Sequence, residues 1–239
     1  MMFTMKTFAL LLLNGFNCMT INGLSSPRLL LIRHGRSEMN EYLSQAEQTW
    51  GDPDFIDPEL CDTPLTSVGL LQASQLNIKL RQSPTKIDLL ISSPLTRALQ
   101  TAETGFDNVV FSQRMVSPLA SERVFLSSDT GSQPQELVKR FPGWDIENTV
   151  GDTWWYTSET EEWRPPGNYA CPGEPAVVFY DRMRTLLEFL KSREENSIAL
   201  VAHWGVIRAL SGASLNNCEM HAINTADLPS EPHWEEEDR

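Results

Sequence analysis

Residues 29–40 read LLLIRHGRSEMN, and this stretch indicates the fold class. An apolar run ends abruptly in Arg33, His34 and Gly35. A buried strand that opens directly onto clustered cations is costly unless an anion is bound there. Arginine presents a planar fork that matches phosphate oxygens, and glycine lets the backbone approach a ligand closely. The stretch therefore predicts a phosphate-binding pocket that contains a histidine.

Two later segments repeat this design. The apolar run at residues 197–202 leads into His203, and the run at residues 87–91 leads into a polar segment that contains Arg97. In an open α/β sheet, ligands collect outside the carboxyl ends of the strands. We therefore expect His34, Arg97 and His203 to meet at one edge of the sheet.

The ordered set of motifs resembles the histidine phosphatase superfamily, the group that includes the cofactor-dependent phosphoglycerate mutases. The motifs that carry the resemblance are Arg33-His34-Gly35 with Asn40, Asp62-Thr63-Pro64-Leu65-Thr66 with Gly69, Ser92-Ser93-Pro94 with Arg97, Glu122, Pro172-Gly173-Glu174, and His203 with Gly205. The resemblance implies an α/β fold, a three-layer α/β/α sandwich with a mostly parallel central sheet.

The chemistry expected at this pocket is phosphoryl transfer through a histidine. His34 is the expected nucleophile, which forms a phosphohistidine. The adjacent Arg33 and Arg97 disfavour its imidazolium form, because like charges lower the pKa of an imidazole, and they clasp the phosphoryl oxygens. His203 is expected as an imidazolium that stabilises transition-state charge. The resemblance assigns the role of general acid to Glu122.

Three further residues have weaker assignments. Asn40 and Arg36 are expected to donate additional hydrogen bonds to the substrate, although an arginine at position 36 also suits a plain surface cation. Glu174 is the alternative acid, since it precedes a long helix in the family pattern. We expect no cofactor and no metal, because the four histidines are scattered along the chain.

The activity predicted is hydrolysis of a phosphomonoester, with a small organic phosphate as the substrate. A phosphoglycerate mutase-type transfer is the alternative, but the sequence offers no second cationic set for the distal phosphate of a bisphosphate. A non-catalytic protein that binds a phosphorylated ligand is the alternative from another class. A nucleotide-binding fold is disfavoured, because no glycine-rich turn follows the first strand.

The chain of 239 residues suits one α/β domain at residues 27–228, with an aromatic-rich insertion at residues 133–171. Four of the seven tryptophans fall in this insertion. We expect it to fold its aromatic side chains onto its own small core, as most aromatics are packing groups. The alternative is a lid that covers the pocket and selects the substrate.

The two ends of the chain differ in composition from the domain. Residues 1–26 contain one lysine, no acid and a short apolar run, which suits either a targeting segment or a disordered leader. Residues 229–239 form an acidic tail that we expect to be solvated. The apolar run is too short to span a bilayer, so we expect no membrane partner for the mature form.

Charge and cysteine usage limit the partners and the compartment. The formal net charge of −13 leaves no broad basic face and argues against nucleic acid. The four cysteines show no C-x-x-C spacing, which favours free thiols. A reducing compartment fits them, so we favour the cytoplasm over secretory or organelle targeting.

Hydrophobic periodicity predicts the main helices and strands. We expect strands at residues 28–32, 87–91, 197–202 and 219–223, and helices at residues 66–81 and 176–191. Thr66 is the predicted N-cap of the first of these helices.

Overall fold

A computed structural model describes residues 29–45, 49–83, 86–157 and 167–233. Its centre is a five-stranded sheet in the order β3-β2-β4-β1-β5. Only β5 is antiparallel to its neighbour, and the other pairs are parallel. The strands are β1 (Leu29–Arg33), β2 (Ile87–Ser92), β3 (Phe111–Val116), β4 (Ile198–Ala202) and β5 (Met220–Ile223). The helices are α1 (Glu38–Leu43), α2 (Ser67–Gln82), α3 (Thr96–Gly105), α4 (Pro134–Arg140), α5 (Ala176–Ser192) and α6 (Trp204–Ser211).

Alternating side chains of the central strands feed two separate cores. In β4, Ile198, Leu200 and Ala202 face a core shared with α5 and α6, whereas Ala199 and Val201 face a core shared with α2, α3 and α4. A strand buried on both faces reads as a continuous apolar run, which is why the sequence shows no polar alternation here. The helices thus cover both faces of the sheet, and the predicted three-layer α/β/α sandwich is confirmed.

The helix ends follow local capping rules. The Thr66 hydroxyl accepts the N–H of Gly69 at 3.1 Å, so Thr66 is the N-cap of α2 as predicted. Helix α6 ends at Gly212, which has φ of 70°. That left-handed conformation is readily adopted by glycine and terminates the helix.

The aromatic segment at residues 133–171 does not form the separate core that we expected, as far as it is described. Trp144 is 4% exposed and packs with Phe141 and Ile146 in the core beneath α2 and α3. Trp154 packs against the same core, and its indole N–H donates to the Ser132 carbonyl at 3.1 Å. The expectation of a self-contained core is therefore wrong for these side chains, because the main core offers them more apolar area than a short segment could.

The predicted leader at residues 1–26 lies outside the described residues, as do residues 234–239 of the tail. The described start of the tail is not simply solvated. Glu231 accepts a hydrogen bond from Arg184 on α5 at 2.9 Å, and the N–H of His233 donates to the Ala209 carbonyl on α6 at 2.9 Å. Residues 229–233 therefore lie along two helices.

Two further predictions concern thiols and membranes. Cys61, Cys171 and Cys218 are free thiols, as expected. Within the described ranges, no helix is both long and apolar enough to cross a membrane.

Candidate active site

The carboxyl ends of β1, β2 and β4 lie side by side and bring polar residues to one edge of the sheet. Arg33 pairs with Ala202 between β1 and β4, and Ser92 pairs with Val201 between β2 and β4. The N–H of His34 then donates to the Ala202 carbonyl at 3.0 Å. Strand register therefore makes neighbours of the two histidines that follow β1 and β4. Their ring centroids are 5.0 Å apart.

A cavity of about 440 Å³ opens at this edge. It is lined by five of the predicted site residues: Arg33, His34, Asn40, Arg97 and Glu122. His203 lies beside the His34 ring and is completely buried. No described residue of the segment 133–171 is part of the lining, so the described part of that segment gives no support to a lid.

The hydrogen bonding of His34 fixes which ring nitrogen can react. Its Nδ1 lies 2.7 Å from the carbonyl oxygen of Gly35, and a carbonyl only accepts, so Nδ1 carries the proton. Nε2 then holds the lone pair of the neutral imidazole. Burial lowers the pKa of His34 well below its usual value, and the charges of Arg97 and Arg33 lower it further. His34 is therefore held neutral with a nucleophilic Nε2.

Gly35 places this loop directly against α2. A Cβ at Gly35 would lie 2.8 Å from the backbone oxygen of Gly69 in the first turn of that helix. The N–H of Gly35 donates to the hydroxyl of Thr101 on α3 at 2.9 Å. The loop that carries His34 is thus held between two helices at a spacing that only glycine permits.

His203 differs from its sequence-based description. Burial lowers the pKa of His203 well below its usual value, and the charge of Arg97 lowers it further. The expectation that His203 is an imidazolium is therefore wrong for the unliganded site. Its Nε2 lies 2.8 Å from the Ser93 hydroxyl, which itself accepts the N–H of Leu95 at 3.3 Å. With the Ser93 hydroxyl donating to Nε2, the neutral ring carries its proton on Nδ1. That buried Nδ1 has no hydrogen-bond partner among the described residues.

Arg97 is held by groups that sequence reasoning did not identify. It is 4% exposed, and its guanidinium donates to the Asp129 carboxylate at 2.8 Å and to the Ser128 carbonyl at 2.6 Å. Asp129 also accepts the backbone N–H groups of Phe125 and Leu126. Burial raises the pKa of Asp129, and the charge of Arg97 opposes this. Asp129 therefore orients the Arg97 guanidinium and partly neutralises its positive charge.

Arg33 is the last residue of β1, and it lines the cavity. Its Nη1 donates to the Leu215 carbonyl at 2.8 Å, while its buried Nε has no hydrogen-bond partner in the part of the chain described. Burial lowers the pKa of Arg33, and the nearby Glu122 opposes that shift. An unsatisfied buried donor beside a cavity is suited to an anionic ligand.

Glu122 has the environment of a proton donor. Burial raises the pKa of its carboxyl group, the charge of Asp129 raises it further, and hydrogen bonds from the N–H groups of Gly205 and Arg123 limit the rise. These bonds are 3.1 Å and 3.0 Å long. The alternative acid, Glu174, pairs with Arg182 at 2.7 Å and does not line the cavity.

The structure separates the two weaker candidates. Asn40 lines the cavity, and its side-chain oxygen accepts from the N–H of Ser37 at 3.2 Å and from Asn217 at 3.3 Å, which leaves its NH₂ group for a ligand. Arg36 is not brought into the cavity. Its guanidinium donates to Ser44 at 2.6 Å beside α1, because the chain turns away from the sheet edge after Gly35.

Some site residues were not assigned a role from the sequence. Asp129 carried no signal, and Ser93 stood only within the Ser92-Ser93-Pro94 motif; they contact Arg97 and His203 because the folded loops bring them there. Aromatic side chains also form part of the wall, as do Arg123 and Arg208. Arg123 and Arg208 are thus two cavity cations that the sequence analysis did not name.

Comparisons with known proteins identify the family of this chain. The family model of the histidine phosphatase superfamily (branch 1) matches residues 29–229. A Schizosaccharomyces pombe protein described as a probable phosphatase is 29% identical over 150 residues, which cover 62% of this chain and 65% of that protein, just under two thirds. A Hydrogenobacter thermophilus protein with the provisional name phosphoserine phosphatase 2 is 28% identical over 217 residues, which cover 88% of this chain and 91% of that protein.

Solved structures share the fold at lower identity. A mycobacterial glucosyl-3-phosphoglycerate phosphatase superposes with a TM-score of 0.50 at 22% identity, over 82% of this chain and 88% of that one. The alpha-ribazole phosphatase from Shigella flexneri superposes with a TM-score of 0.50 at 22% identity, over 81% of this chain and 88% of that one. The family model covers most of the chain, and this chain belongs to the histidine phosphatase superfamily, branch 1.

Proposed function

We propose that this protein is a phosphomonoester hydrolase that acts through a phosphohistidine on His34. The observation that carries the proposal is the state of His34: a neutral imidazole whose Nδ1 proton is donated to the Gly35 carbonyl, in a cavity that is also lined by Arg33, Arg97 and Glu122. A histidine with only a structural role is not expected to have a free lone pair in a cavity whose arginines suit an anion.

In the first half of the reaction, Nε2 of His34 attacks phosphorus. The N–P bond forms as the P–O bond to the organic group breaks, and the departing oxygen takes the proton of the Glu122 carboxyl group. Burial raises the pKa of Glu122, which favours the protonated carboxyl group that this step needs. Arg33 and Arg97 hold the non-bridging phosphoryl oxygens, since their guanidinium groups match the geometry of phosphate.

His203 and Asn40 complete the phosphate site. The unpartnered Nδ1–H of His203 gives a donor beside the His34 ring, and the amide NH₂ of Asn40 gives another. A bound phosphate dianion would also raise the pKa of His203, so this imidazole gains positive character only when the substrate is present. Preorganised donors of this kind stabilise the charge of the transition state.

In the second half, water attacks the phosphohistidine. The Glu122 carboxylate takes a proton from the water, the new O–P bond forms, the N–P bond breaks, and inorganic phosphate leaves with His34 neutral again. One carboxyl group therefore serves as acid and then as base. No metal is required for this sequence of steps.

Leaving-group dependence tests the proposal. Glu122→Gln should lower kcat/KM for a simple alkyl phosphate by about 10²-fold or more, and for p-nitrophenyl phosphate much less, because nitrophenolate leaves without a proton. His34→Ala should abolish turnover of both substrates. Unchanged turnover by His34→Ala would overturn the nucleophile, and an equal loss on both substrates with Glu122→Gln would place the acid elsewhere. A wild-type protein that binds phosphate esters but turns over none would be the non-catalytic binder.

A mutase remains the second candidate, because Arg123 and Arg208 also line the cavity. Both guanidinium groups lie over aromatic rings: Arg123 is 4.3 Å from the Phe125 centroid, and Arg208 is 5.2 Å from that of Trp204. Both guanidinium groups are stacked on rings of the cavity wall and do not form a separate site for a second phosphate. This arrangement favours hydrolysis over mutase-type transfer. Incubation with 3-phosphoglycerate should release free phosphate, whereas accumulation of the 2-isomer with little phosphate would establish the mutase.

A further inference from the structure

The cavity continues from the phosphate-binding end to a wall of five aromatic side chains. We call this wall the aromatic chamber; it consists of Trp50, Phe125, Phe179, Tyr180 and Trp204. They come from four parts of the chain: the segment after α1, the loop after Glu122, helix α5 and helix α6. The reacting end and the chamber are continuous, so a bound ester places its organic group against these rings.

The rings are held in place by contacts with one another. Trp50 and Phe125 meet edge to face with centroids 5.6 Å apart, and Phe179 and Tyr180 do so at 5.2 Å. The Arg123 guanidinium lies over both phenyl rings, 4.3 Å from Phe125 and 6.0 Å from Phe179. Aromatic walls with few rotatable bonds bind a ligand at low entropic cost.

Two tryptophans of the chamber expose much of their surface. Trp50 is 43% exposed and Trp204 is 40% exposed. Trp204 keeps its indole N–H bonded to the Ser214 hydroxyl at 3.0 Å, and the Arg208 guanidinium lies over its ring, so the polar edge is satisfied and a ligand would contact the exposed remainder of the ring. Exposed apolar area beside a catalytic cavity favours a ligand that covers it.

The chamber offers little to a polyhydroxylated group. The hydroxyl and amide side chains in the cavity lining are Ser37, Asn40, Ser128 and Tyr180. Ser37 and Asn40 belong to the N-terminal cap of α1, near the phosphate end. The two carboxyl groups of the lining are also committed, Asp129 to Arg97 and Glu122 to the N–H of Gly205. Beyond the phosphate-binding residues, the basic groups of the lining are His233 and the guanidinium groups of Arg123 and Arg208, which lie over Phe125 and Trp204. A group with many hydroxyls would therefore find fewer hydrogen-bond partners here than in water.

On the basis of the proposed function, we infer that the preferred substrate is a monoester whose organic group is an aromatic ring on or near the ester oxygen, an aryl or arylalkyl phosphate. The ring lies against the aromatic chamber, while the phosphate occupies the arginine and histidine end of the same cavity. Offset or edge-to-face stacking with these rings adds to the burial of apolar area.

The test compares three esters of primary or secondary alcohols: benzyl phosphate, glycerol 3-phosphate and 3-phosphoglycerate. All need a proton on the departing oxygen, so differences in rate report recognition more than chemistry. Benzyl phosphate should have a kcat/KM at least about tenfold above either of the others, a difference of about 1.4 kcal/mol. Trp50→Ala should remove most of that preference and change glycerol 3-phosphate turnover less than about threefold. Trp50→Phe should retain the preference.

The matched control is Trp155→Ala, a tryptophan outside the cavity lining, which should keep the preference. Equal or better turnover of the two non-aromatic esters by the wild-type protein would overturn the inference and leave the hydrolase intact. An equal loss on all three esters in Trp50→Ala would overturn it as well, since Trp50 would then act on the reacting end.

Binding of phosphonates separates recognition from catalysis. By calorimetry, benzylphosphonate should bind the wild-type protein at least about tenfold more tightly than methylphosphonate, and Trp50→Ala should reduce this ratio. Tight binding of benzylphosphonate without turnover of any ester would support the chamber and overturn the proposed hydrolase. Equal binding of the two phosphonates would overturn the chamber whatever the catalytic result.

Discussion

The contact between Gly205 and Glu122 allows the role of the proposed acid to be tested without removing its carboxyl group. Gly205 lies in the first turn of α6, and its N–H donates to Oε2 of Glu122 at 3.1 Å. A Cβ at this position would lie 2.5 Å from Oε1 of the same carboxyl group. Gly205→Ala should therefore displace the carboxyl group rather than the helix, because the end of a flexible side chain yields more easily than backbone.

The size of the effect follows from the distance. To restore ordinary van der Waals contact, the carboxyl group must move by about 1 Å, and a displacement of that size can cost about 10²-fold in rate. We expect kcat/KM for an alkyl phosphate to fall by about that factor, equivalent to about 2.7 kcal/mol of transition-state stabilisation. The loss on p-nitrophenyl phosphate should be less than about tenfold, because that reaction needs little general acid.

The assay measures both substrates in parallel for the wild-type protein, Gly205→Ala and Gly151→Ala. Gly151 is the matched control, since an added Cβ there meets no atom within 4 Å. Thermal unfolding of each variant checks that the fold is kept. The reasoning is refuted if Gly205→Ala hydrolyses the alkyl phosphate within about threefold of the wild-type rate, or if it loses both activities equally.

Three other predictions concern the support of the site. Asp129→Asn should raise KM for phosphate esters at least about tenfold and destabilise the protein by about 3 kcal/mol in urea unfolding, because the Arg97 charge loses its buried partner; near wild-type values would contradict this. His34 and His203 are both held neutral in the folded protein but each binds a proton in the unfolded chain below about pH 6.5, so each lowers stability by about 1.4 kcal/mol for each pH unit below that value. His203→Gln should remove one of these two contributions and show a shallower fall, and equal slopes would refute the buried neutral imidazole. Gly35→Ala should cost about 1–3 kcal/mol in the same unfolding assay, because the Gly69 carbonyl is backbone and cannot move aside, and a cost near zero would contradict that contact.

The sequence predicts the strand ends well because the signal there is local. Apolar runs that stop at Arg33 and at His203 identify buried strands, and parallel pairing then brings these residues together whatever the loops do. The helix at residues 67–82 was predicted within a residue at each end, because Thr66 supplies a cap and the apolar spacing is regular. These parts of the site follow from rules that operate over a few residues.

The remaining parts depend on contacts between distant segments. Asp129 reaches Arg97 because the loop before it is held by Asp57, whose carboxylate accepts the backbone N–H of Ser127 at 2.7 Å. Asp57 and Ser127 are 70 positions apart, and their loops show no hydrophobic periodicity. The position of Trp50 in the cavity wall has the same origin. From the sequence alone, an acidic residue in an irregular loop is expected to be solvated, because its partner is apparent only in the folded structure.

A covalent bond between phosphorus and Nε2 of His34 is the step on which the proposed hydrolysis depends, and rapid chemical quench during turnover of a ³²P-labelled ester detects it. Label should build up on the protein before steady-state release of phosphate, be lost in acid, survive in base, and be located at His34 by peptide mass spectrometry. The label should be absent from His34→Ala. Steady turnover without any labelled protein, or label on another residue with His34→Ala still active, would rule out His34 as the nucleophile.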